Sequence, residues 1–539
     1  MSKLFERLLE KRGLGKDFLQ PRYESLYDPF QLPDLKKAIE RISKAIKNGE
    51  KILIYGDYDV DGVTASTVME EALILAGVAP DKIDIMLPDR FADGYGMSPR
   101  LITRAKKHGT KLVITVDCGS RNHAIIEELN ILKIDTIVTD HHECGTDLPD
   151  AISVINPKRP DFTTNDKGLK NLAGVGVAFK VAQGLVKQEL IPAGQEKWLL
   201  DLVLIGTICD NMPLIGENRI LGYYGVKVLA KTRRAGLKEL MVKARVKNLT
   251  AESIGFQIGP RLNAAGRLKT ADLALDLLRA KTPTEAAFLA DKLENLNAKR
   301  KTEQQSAFKE ISTRGVPDTP VIVETGTWHE GVLGIIAGRM VEEYQRPTFV
   351  LTELENGTLK GSGRSFGDFN LADALEHVKD TIIAGGGHAG AAGVRLEKDQ
   401  LYKFREQINE YYNNLHLTDQ LRFLAVIPDL NVENLSELSL SFIEELKSLE
   451  PFGPGNEEPI FSLQNVDILE THRMGTEGQH LRLDVRDRSG KVFKLVAFYA
   501  PEQWLSLTTE DHITPLIKLT ENDFNGVKSA EGRIIDIVL

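Results

Sequence analysis

Residues 51–62 (KILIYGDYDVDG) restrict the possible folds more than any other segment of the chain. The apolar residues 52–55 predict a short buried strand, Gly56 begins an acidic loop, and residues 64–76 predict a helix. The same order returns twice, with predicted strands at 111–116 and 135–139. Strands that alternate with helices predict a mostly parallel α/β sheet, which binds ligands at the carboxyl ends of its strands.

Acidic and imidazole side chains follow these predicted strands. They are Asp57, Asp59, Asp61, Asp117, Asp140, His141 and His142. Asp210 follows a further apolar run, residues 202–209, which we also interpret as a strand. The three alternating carboxylates of the first loop fit either a solvated turn or a cation that compensates their repulsion. An EF-hand is excluded because a strand precedes the loop and Val68 stands where the motif needs Glu. Asp and His groups that converge at strand ends suit a two-metal site for phosphoryl chemistry, with Mn²⁺, Mg²⁺ or Zn²⁺ as ions.

The three cysteines lie beside these motifs, and we interpret them as packing residues. Cys118 and Cys209 each flank an Asp on a predicted strand, so their side chains should face the opposite way. Thiolates also favour softer metals than carboxylates do. With only three cysteines, no disulfide framework is expected. No apolar run approaches the ~18 residues that a membrane span needs. A cytoplasmic enzyme is expected.

The net charge of -9 does not indicate a nucleic-acid-binding protein, so any such binding would depend on local basic clusters. Arg90, Arg261, Arg267 and Arg364 each have glycine nearby, which lets a ligand approach the backbone. Arginine pairs bidentately with phosphate, although internal salt bridges to the acidic cluster are the alternative. The run GGGHAG, which contains His388, is similar to a phosphate-binding loop, although a simple turn would also explain it.

The chain after these motifs changes character twice. Residues 271–310 are charged and predict a long helical connector, and the strand VIVET begins a second α/β unit that ends near residue 410. From about residue 420, short strands and turns predict a small β-barrel.

Four of these segments (GDYDVDG, VDCG, TDHHE and TICDNMPL) resemble the motifs of the DHH phosphoesterases, and GGGHAGAAG resembles the signature of the companion DHHA1 domain. Segments from SLYDPFQLPDL to EPFGPGNEEPIF also resemble, in order, those of the single-stranded-DNA-specific exonucleases of this family. The resemblance covers nearly the whole chain. It implies a parallel-sheet DHH domain at 1–230, a helical connector at 231–314 and a smaller α/β DHHA1 domain at 315–412. It also implies an OB-fold β-barrel at 415–539 that binds and guides the single strand.

The resemblance also implies residue roles. Asp59 and Asp117, assisted by Asp57, would hold one cation, and Asp117 would bridge to a second one. The other ligands of that second cation would be Asp61, His141 and Asp210. His142 would stabilise charge on the scissile phosphate, and Asp140 would orient a histidine.

The resemblance also implies a set of substrate-binding residues, in which Ser362 and Arg364, with Arg90, would grip the 5′ phosphate and His388 would help to bind the terminal nucleotide. The full set is Arg90, Arg261, Asn263, Arg267, Ser362, Arg364 and His388. One departure from the family pattern is Ser120-Arg121, where an Ile-Ser pair would be expected.

The activity so implied is 5′ to 3′ degradation of single-stranded DNA to 5′-mononucleotides, with two Mn²⁺ or Mg²⁺ ions, in recombination and repair. The resemblance implies a monomer that does not act at a membrane. Its implied partners are single-stranded DNA, a single-stranded-DNA-binding protein and a RecQ-type helicase. The alternative is a DHH-family phosphodiesterase of oligonucleotides or cyclic dinucleotides, although such enzymes lack the OB-like tail. A non-catalytic scaffold on a decayed DHH fold would have lost metal ligands, yet every motif Asp and His is present.

Overall fold

The computed structural model describes residues 1–94, 96–163, 167–417 and 426–538. In chain order they form an N-terminal domain, a helical connector, a middle domain and a C-terminal domain. Two short helices, α1 (Lys3–Arg12) and α2 (Lys16–Leu19), precede the N-terminal domain. Across the described residues, no helix has the length and apolarity needed to cross a membrane.

A parallel five-stranded sheet in the order β2-β1-β3-β4-β5 forms the centre of the N-terminal domain. Its strands are β1 (Ile52–Tyr55), β2 (Ile83–Met86), β3 (Leu112–Val116), β4 (Asp135–Thr139) and β5 (Ser153–Ile155). Every residue of β1 and β3 is buried, as expected where helices cover both faces. Because β1 lies between β2 and β3, the crossovers leave a crevice at the carboxyl ends of β1 and β3. The predicted parallel sheet is confirmed.

The described residues of this domain also form eight α-helices. They are α3 (Leu35–Asn48), α4 (Val60–Leu75), α5 (Arg100–His108), α6 (His123–Ile131), α7 (Lys167–Lys170), α8 (Gly174–Lys187), α9 (Leu200–Cys209) and α10 (Gly216–Leu229). Helix α4 packs against both α8 and α9, and all three contribute to the largest hydrophobic core.

The structure corrects two expectations for this domain. Helix α4 begins at Val60, earlier than predicted, because the side chain of Asp59 caps it by accepting a 3.1 Å hydrogen bond from Gly62 N. The apolar run 202–209, predicted as a strand, lies in helix α9. Every α9 residue from Leu200 to Thr207 is buried, so no polar face reveals a helical period in the sequence.

The connector contains five helices and one π-helical turn (Ile254–Ile258). The helices are α11 (Ala235–Lys243), α12 (Ala251–Ser253), α13 (Gly259–Leu268), α14 (Asp272–Arg279) and α15 (Pro283–Arg314). The predicted continuous helix at 271–310 is divided, because Thr282 caps α15 and Pro283 occupies its first turn. The long helix α15, with 32 residues, is the predicted connector to the middle domain.

The middle domain has a mixed sheet in the order β6-β7-β8-β10-β9. Its elements are β6 (Ile322–Gly326), α16 (Leu333–Tyr344), β7 (Thr348–Glu353), β8 (Thr358–Arg364), α17 (Leu371–His377), β9 (Ala384–Gly387), β10 (Ala391–Glu397) and α18 (Leu401–Asn414). The GGGHAG run is not a loop that leads into a helix. Its glycines pair with β10 in an antiparallel ladder, and His388 N donates to Ala391 O across the turn at 2.8 Å.

The C-terminal domain is built on a seven-stranded sheet. Its elements are β11 (Leu430–Val432), α19 (Leu440–Lys447), β12 (Phe461–Leu463), β13 (Val466–Met474), β14 (His480–Arg486), β15 (Val492–Ala497), α20 (Glu502–Leu505), β16 (His512–Phe524) and β17 (Val527–Val538). Strand pairing runs from β13 through β14, β15, β17 and β16 back to β13, which forms a closed circuit.

Helix α1 belongs to the core of the C-terminal domain, although the predicted bounds assign it to the first domain. Leu4, Phe5, Leu8 and Leu9 pack in the same buried cluster as Phe442. A two-pronged ion pair between Arg12 and Asp429, at 2.6 and 2.9 Å, fixes its end.

Candidate metal centre

The loops after β1, β3 and β4 meet at one edge of the parallel sheet. Asp57 follows β1, Asp117 follows β3 and Asp140 follows β4, as the sequence predicts. Asp59 caps α4 and Asp61 lies in its first turn, so the start of this helix turns both carboxylates toward the same crevice.

The structure brings the six predicted metal ligands together in two groups. Within each group, the ligand atoms lie within 4.8 Å of one another. The groups are Asp57, Asp59 and Asp117, and Asp61, His141 and Asp210. His141 Nε2 lies 3.0 Å from Asp117 Oδ1, which places Asp117 between the two groups.

The donor atoms fit divalent cations. Asp117 Oδ1 and His141 Nε2 are buried, and neither has a hydrogen-bond partner among the described residues. A buried polar atom left without a partner costs about 1–3 kcal/mol, and a cation at this point would offset that cost. Carboxylate oxygens with one imidazole form a donor set suited to Mn²⁺ or Mg²⁺.

The electrostatics of these residues also favour cation binding. Burial, together with repulsion from neighbouring carboxylates, raises the pKa of four acids above the ordinary range of aspartate. These acids are Asp57, Asp61, Asp117 and Asp210. Burial, and then the charge of His142, lowers the pKa of His141 to about 3, so this imidazole is neutral, as a metal ligand must be. Cations that bind here would displace protons from the acids.

Asp140 supports His142 and lies in neither metal-ligand group. It accepts hydrogen bonds from the backbone N–H groups of Ser120, His141 and His142, at 3.0, 2.7 and 3.1 Å. Its carboxylate lies 2.9 Å from His142 Nδ1. Burial alone would raise the pKa of Asp140, but the hydrogen bond and the charge of His142, followed by the charge of His141, hold it below the ordinary range. Burial alone would lower the pKa of His142, but Asp140 raises it and so favours the positively charged ring.

Ser120 and Arg121, the pair that the sequence analysis singled out, support this loop. Ser120 Oγ accepts a 2.8 Å hydrogen bond from Asn156 Nδ2, and Arg121 Nε donates to Glu143 O at 2.7 Å. Neither residue belongs to the two metal-ligand groups.

Glycines that sequence reasoning missed shape the centre. The N–H groups of Gly174 and Val175, at the start of α8, donate to the Asp61 carboxylate at 2.6 and 2.9 Å. A Cβ at Gly174 would lie 2.6 Å from Asp117 Oδ1, and one at Gly206 would lie 2.8 Å from Asp61 Oδ1. Glycine is therefore required on both helices that approach the ligands. The glycine-rich start of α8 (GVGV) was the available signal in the sequence.

Three predicted arginines gather beside the acidic loop. The Arg90 guanidinium lies 4.9 Å from the centroid of the Tyr58 ring, Arg267 donates to Gly331 O at 3.3 Å, and Arg364 donates to Ser362 Oγ at 3.2 Å. Within the described chain, none of these three arginines forms an ion pair with a carboxylate.

The charges of these arginines act on one another. Burial, and then the charges of Arg90, Arg300 and Arg364, lowers the pKa of Arg267 to about 9. Burial and Arg90 also lower the pKa of Arg364. Sequence analysis did not single out Arg300. Cations held together without carboxylate partners form a site for an anion.

The remaining predicted residues are less directly connected to this centre. Arg261 forms an ion pair with Glu294 and also donates to Gln257 O at 2.7 Å, so its guanidinium serves the connector. Asn263 is half-buried on α13, and His388 is exposed at the β9–β10 turn. Of the cysteines, Cys118 is buried in a core cluster, whereas Cys144 and Cys209 are half-buried.

Comparison with known protein families gives three consecutive matches. Models of the DHH family N-terminal domain, the DHHA1 domain and the RecJ OB domain match residues 51–207, 318–414 and 429–536. The predicted fold class, from the parallel-sheet domain to the OB domain, is confirmed.

Individual proteins are similar over almost the entire chain. The single-stranded-DNA-specific exonuclease RecJ of Bacillus subtilis strain 168 is 35% identical over 99% of this chain and 67% of its own length. The protein of the same name from Escherichia coli K12 is 33% identical over 98% of this chain and 94% of its own length.

Solved structures of RecJ from Thermus thermophilus have the same fold. The structure in complex with Mn²⁺ has a TM-score of 0.83 at 29% identity, over 99% of this chain and 76% of that chain. The structure in complex with Mg²⁺ has a TM-score of 0.77 at 27% identity, over 99% of this chain and 74% of that chain.

Proposed function

The chain belongs to the RecJ family of single-stranded-DNA-specific exonucleases, and from that premise we propose that it releases 5′-mononucleotides stepwise from the 5′ end of single-stranded DNA. One observation carries the chemistry of this proposal. Asp117 belongs to one group of ligand atoms and lies 3.0 Å from His141 of the other, as a pair of cations acting on one phosphate requires.

The residues fit two divalent cations, Mn²⁺ or Mg²⁺. Asp59 and Asp117, with Asp57, would hold one, and Asp117, Asp61, His141 and Asp210 would hold the other. When bound, such cations activate water and neutralise charge on the phosphate. The remaining steps depend on side chains of this chain.

The support of His142 suits it to stabilise the transition state. Asp140 fixes its ring through Nδ1 and favours the imidazolium form. An imidazolium beside the metal groups would donate to an oxygen of the phosphate as negative charge develops there. Asp140 is then a positioning residue, because it acts only through His142.

The arginine cluster supports cleavage from a 5′ end. Arg90, Arg267 and Arg364 come from three different parts of the chain and lack carboxylate partners in its described part. The start of α16 also faces them, since a Cβ at Gly334 would lie 2.9 Å from Arg364 Nη2 and 3.1 Å from Ser362 Oγ. Guanidinium groups at a helix N-terminus form a site for a terminal phosphate. A phosphate gripped there would place the first phosphodiester bond at the metal centre.

Single-stranded DNA is the expected substrate, and the strand must be separated and protected before it is cut. A RecQ-type helicase and a single-stranded-DNA-binding protein are therefore the partners that we propose. The alternative of an oligonucleotide or cyclic-dinucleotide phosphodiesterase leaves the C-terminal OB domain without a role.

Digestion of end-labelled DNA with Mn²⁺ tests this function. A 5′-labelled single strand should release labelled mononucleotide at once, whereas a 3′ label should stay on long products until late. Blunt duplex DNA and a cyclic dinucleotide are the comparison substrates, and both should be poor ones. Loss of the 3′ label first, or preferential hydrolysis of the cyclic dinucleotide, would refute the proposal.

A further inference from the structure

The three arginines that would grip a 5′ phosphate belong to different domains. Arg90 lies in the N-terminal domain, Arg267 on helix α13 of the connector and Arg364 at the end of strand β8 in the middle domain. A phosphate site built from separate domains is effective only while those domains hold its groups in the correct orientation. The contacts that join the domains beside the arginines therefore also determine how well the phosphate is held.

Residues 329–331 of the middle domain form a turn that contacts two of the three arginine-bearing segments. Gly331 O accepts the 3.3 Å hydrogen bond from Arg267, and a Cβ at Gly331 would lie 1.8 Å from the carbonyl oxygen of Arg267. Glu330 forms a 2.5 Å ion pair with Lys360 of β8, the strand that ends at the third arginine. The turn is therefore fixed both to helix α13 and to strand β8.

The first residue of this turn, His329, contacts the N-terminal domain. Its ring meets the ring of Phe91 edge-to-face, at 5.4 Å between centroids and an angle of 85° between the planes. His329 Nδ1 also accepts a 3.0 Å hydrogen bond from Gly331 N, which fixes the orientation of the ring. Phe91 is half-buried and His329 is exposed, and neither belongs to a hydrophobic core cluster of the described residues. The pair is therefore a contact between two domains rather than part of the packing inside either one.

Phe91 follows Arg90 in a tight turn. The Asp89 carboxylate accepts a 2.8 Å hydrogen bond from Phe91 N. Asp93 N donates to Asp89 O at 2.8 Å, and Asp93 Oδ2 accepts a hydrogen bond from Asp89 N at 2.8 Å. Because these bonds hold the turn as one unit, a shift of the Phe91 ring would also shift the Arg90 guanidinium.

We propose that Phe91 and His329 are positioning residues for the 5′ phosphate, because their contact aligns Arg90 with the other two arginines. This inference rests on the proposed function, since it takes the arginine cluster to grip that phosphate. The edge-to-face contact brings the N-terminal domain to the turn that already contacts helix α13 and strand β8. Both rings act on the reaction only through Arg90.

The test compares two strands of the same sequence, one with a 5′ phosphate and one with a 5′ hydroxyl, in the presence of Mn²⁺. Release of a label on the first nucleotide is measured, since every later cut would begin from a 5′ phosphate. Loss of one edge-to-face contact corresponds to about 2- to 10-fold in affinity. Phe91→Ala should raise KM for the 5′-phosphorylated strand by this factor, with a much smaller change in kcat. KM for the 5′-hydroxyl strand should stay unchanged, because that strand lacks the gripped group.

Conservative variants separate the ring contact from the fold of the turn. Phe91→Tyr keeps the ring and should restore KM for the 5′-phosphorylated strand. His329→Asn removes the ring but keeps an acceptor for Gly331 N, so it should have the same effect as Phe91→Ala. Phe288→Ala, which removes an exposed ring on α15, is the matched control and should change KM for neither strand.

A double-mutant cycle shows whether the rings act through the arginine. In an Arg90→Ala background, Phe91→Ala should raise KM no further, because the group that it positions has been removed. Additive effects in this cycle, or an unchanged KM for the 5′-phosphorylated strand in Phe91→Ala, would overturn the inference. An equal KM of the wild-type protein for the two strands would overturn it as well. Degradation from the 3′ end by the wild-type protein would instead refute the proposed function, so the two failures are distinguishable.

Discussion

Asp117 is the residue on which the centre depends, and its backbone is strained to place it. Its φ of 61° lies in the left-handed region, where a residue other than glycine costs about 1–3 kcal/mol. A 2.9 Å hydrogen bond from its N–H to Thr139 O holds this conformation against the adjacent strand. The result is a carboxylate that faces both groups of ligands.

Asp117→Asn should abolish cleavage and preserve the fold. Asparagine tolerates the left-handed backbone and keeps the shape of the side chain, but it supplies no negative charge to shared cations. The loss of several kcal/mol of charge stabilisation corresponds to about a thousand-fold or more in kcat. Nucleotide release and calorimetric Mn²⁺ titration measure the effect. The exposed residue Asp147 offers a matched control, Asp147→Asn, which should behave as the wild type does; near-normal activity in Asp117→Asn would contradict the site.

The raised pKa values of the acid cluster predict how metal removal depends on pH. The folded metal-free protein holds the protons of Asp57, Asp61, Asp117 and Asp210 more tightly than the unfolded chain does. Its stability is therefore highest below the unfolded pKa of about 4 and falls as pH rises through the raised folded values. A bound cation offsets this loss of stability at high pH. A cation at a free concentration of about 1,000 times its Kd adds about 4 kcal/mol to the free energy of unfolding.

The difference in Tm between protein with Mn²⁺ and protein with EDTA should therefore widen from about pH 5.5 to about pH 8.5. Differential scanning calorimetry measures both values in matched buffers. Asp147→Asn should show the same widening, and a difference that stays constant over this range would contradict the acidic site.

At the level of elements, sequence reasoning located the strands that end at the site, because a short apolar run followed by polar residues indicates a buried parallel strand. It failed at α9, where continuous burial removes the periodicity that separates a helix from a strand. It also missed Gly174, because its role depends on the approach of Asp117 from a distant loop. Such contacts exist only once the chain has folded.

Gly174→Ala should weaken metal binding, although Gly174 is not one of the metal-ligand candidates. The added methyl group would lie 2.6 Å from the Cβ and Oδ1 atoms of Asp117, so the carboxylate or the start of α8 must move. Displacement of a supporting group of this kind costs about 10- to 100-fold in metal affinity. Mn²⁺ titration should show this loss while circular dichroism stays unchanged. Gly338→Ala is the control, because no atom lies within 4 Å of its added methyl group, and an equal affinity in both variants would contradict this role.

At the level of the whole molecule, the first helix of the chain packs against its last domain. Helix α1 is part of the C-terminal core, and the following segment is attached to the N-terminal domain, where Arg219 donates to Phe18 O at 3.2 Å. Arg219 also donates to Ser448 O of the C-terminal domain at 3.1 Å. The amphipathic pattern of α1 reveals a helix but not which distant surface it covers, so the sequence could not place it.

Phe5→Ala should therefore destabilise the C-terminal domain, although the substitution lies near the other end of the chain. Phe5 is 2% exposed and contacts the Phe442 ring edge-on at 6.5 Å between centroids. Truncation of a buried phenylalanine costs about 3–5 kcal/mol.

The measurement uses Trp504, which lies in the same core. Of the 3 tryptophans, the other two are removed by Trp198→Phe and Trp328→Phe, so that Trp504 alone reports unfolding. Urea unfolding followed by Trp504 fluorescence should shift to lower midpoint by about 1 M or more. The exposed Glu10 on the same helix provides the control, since Glu10→Ala should change stability by less than about 0.5 kcal/mol. An unchanged midpoint in Phe5→Ala would mean that α1 does not complete the C-terminal core, and that the two ends of the chain are stabilised independently.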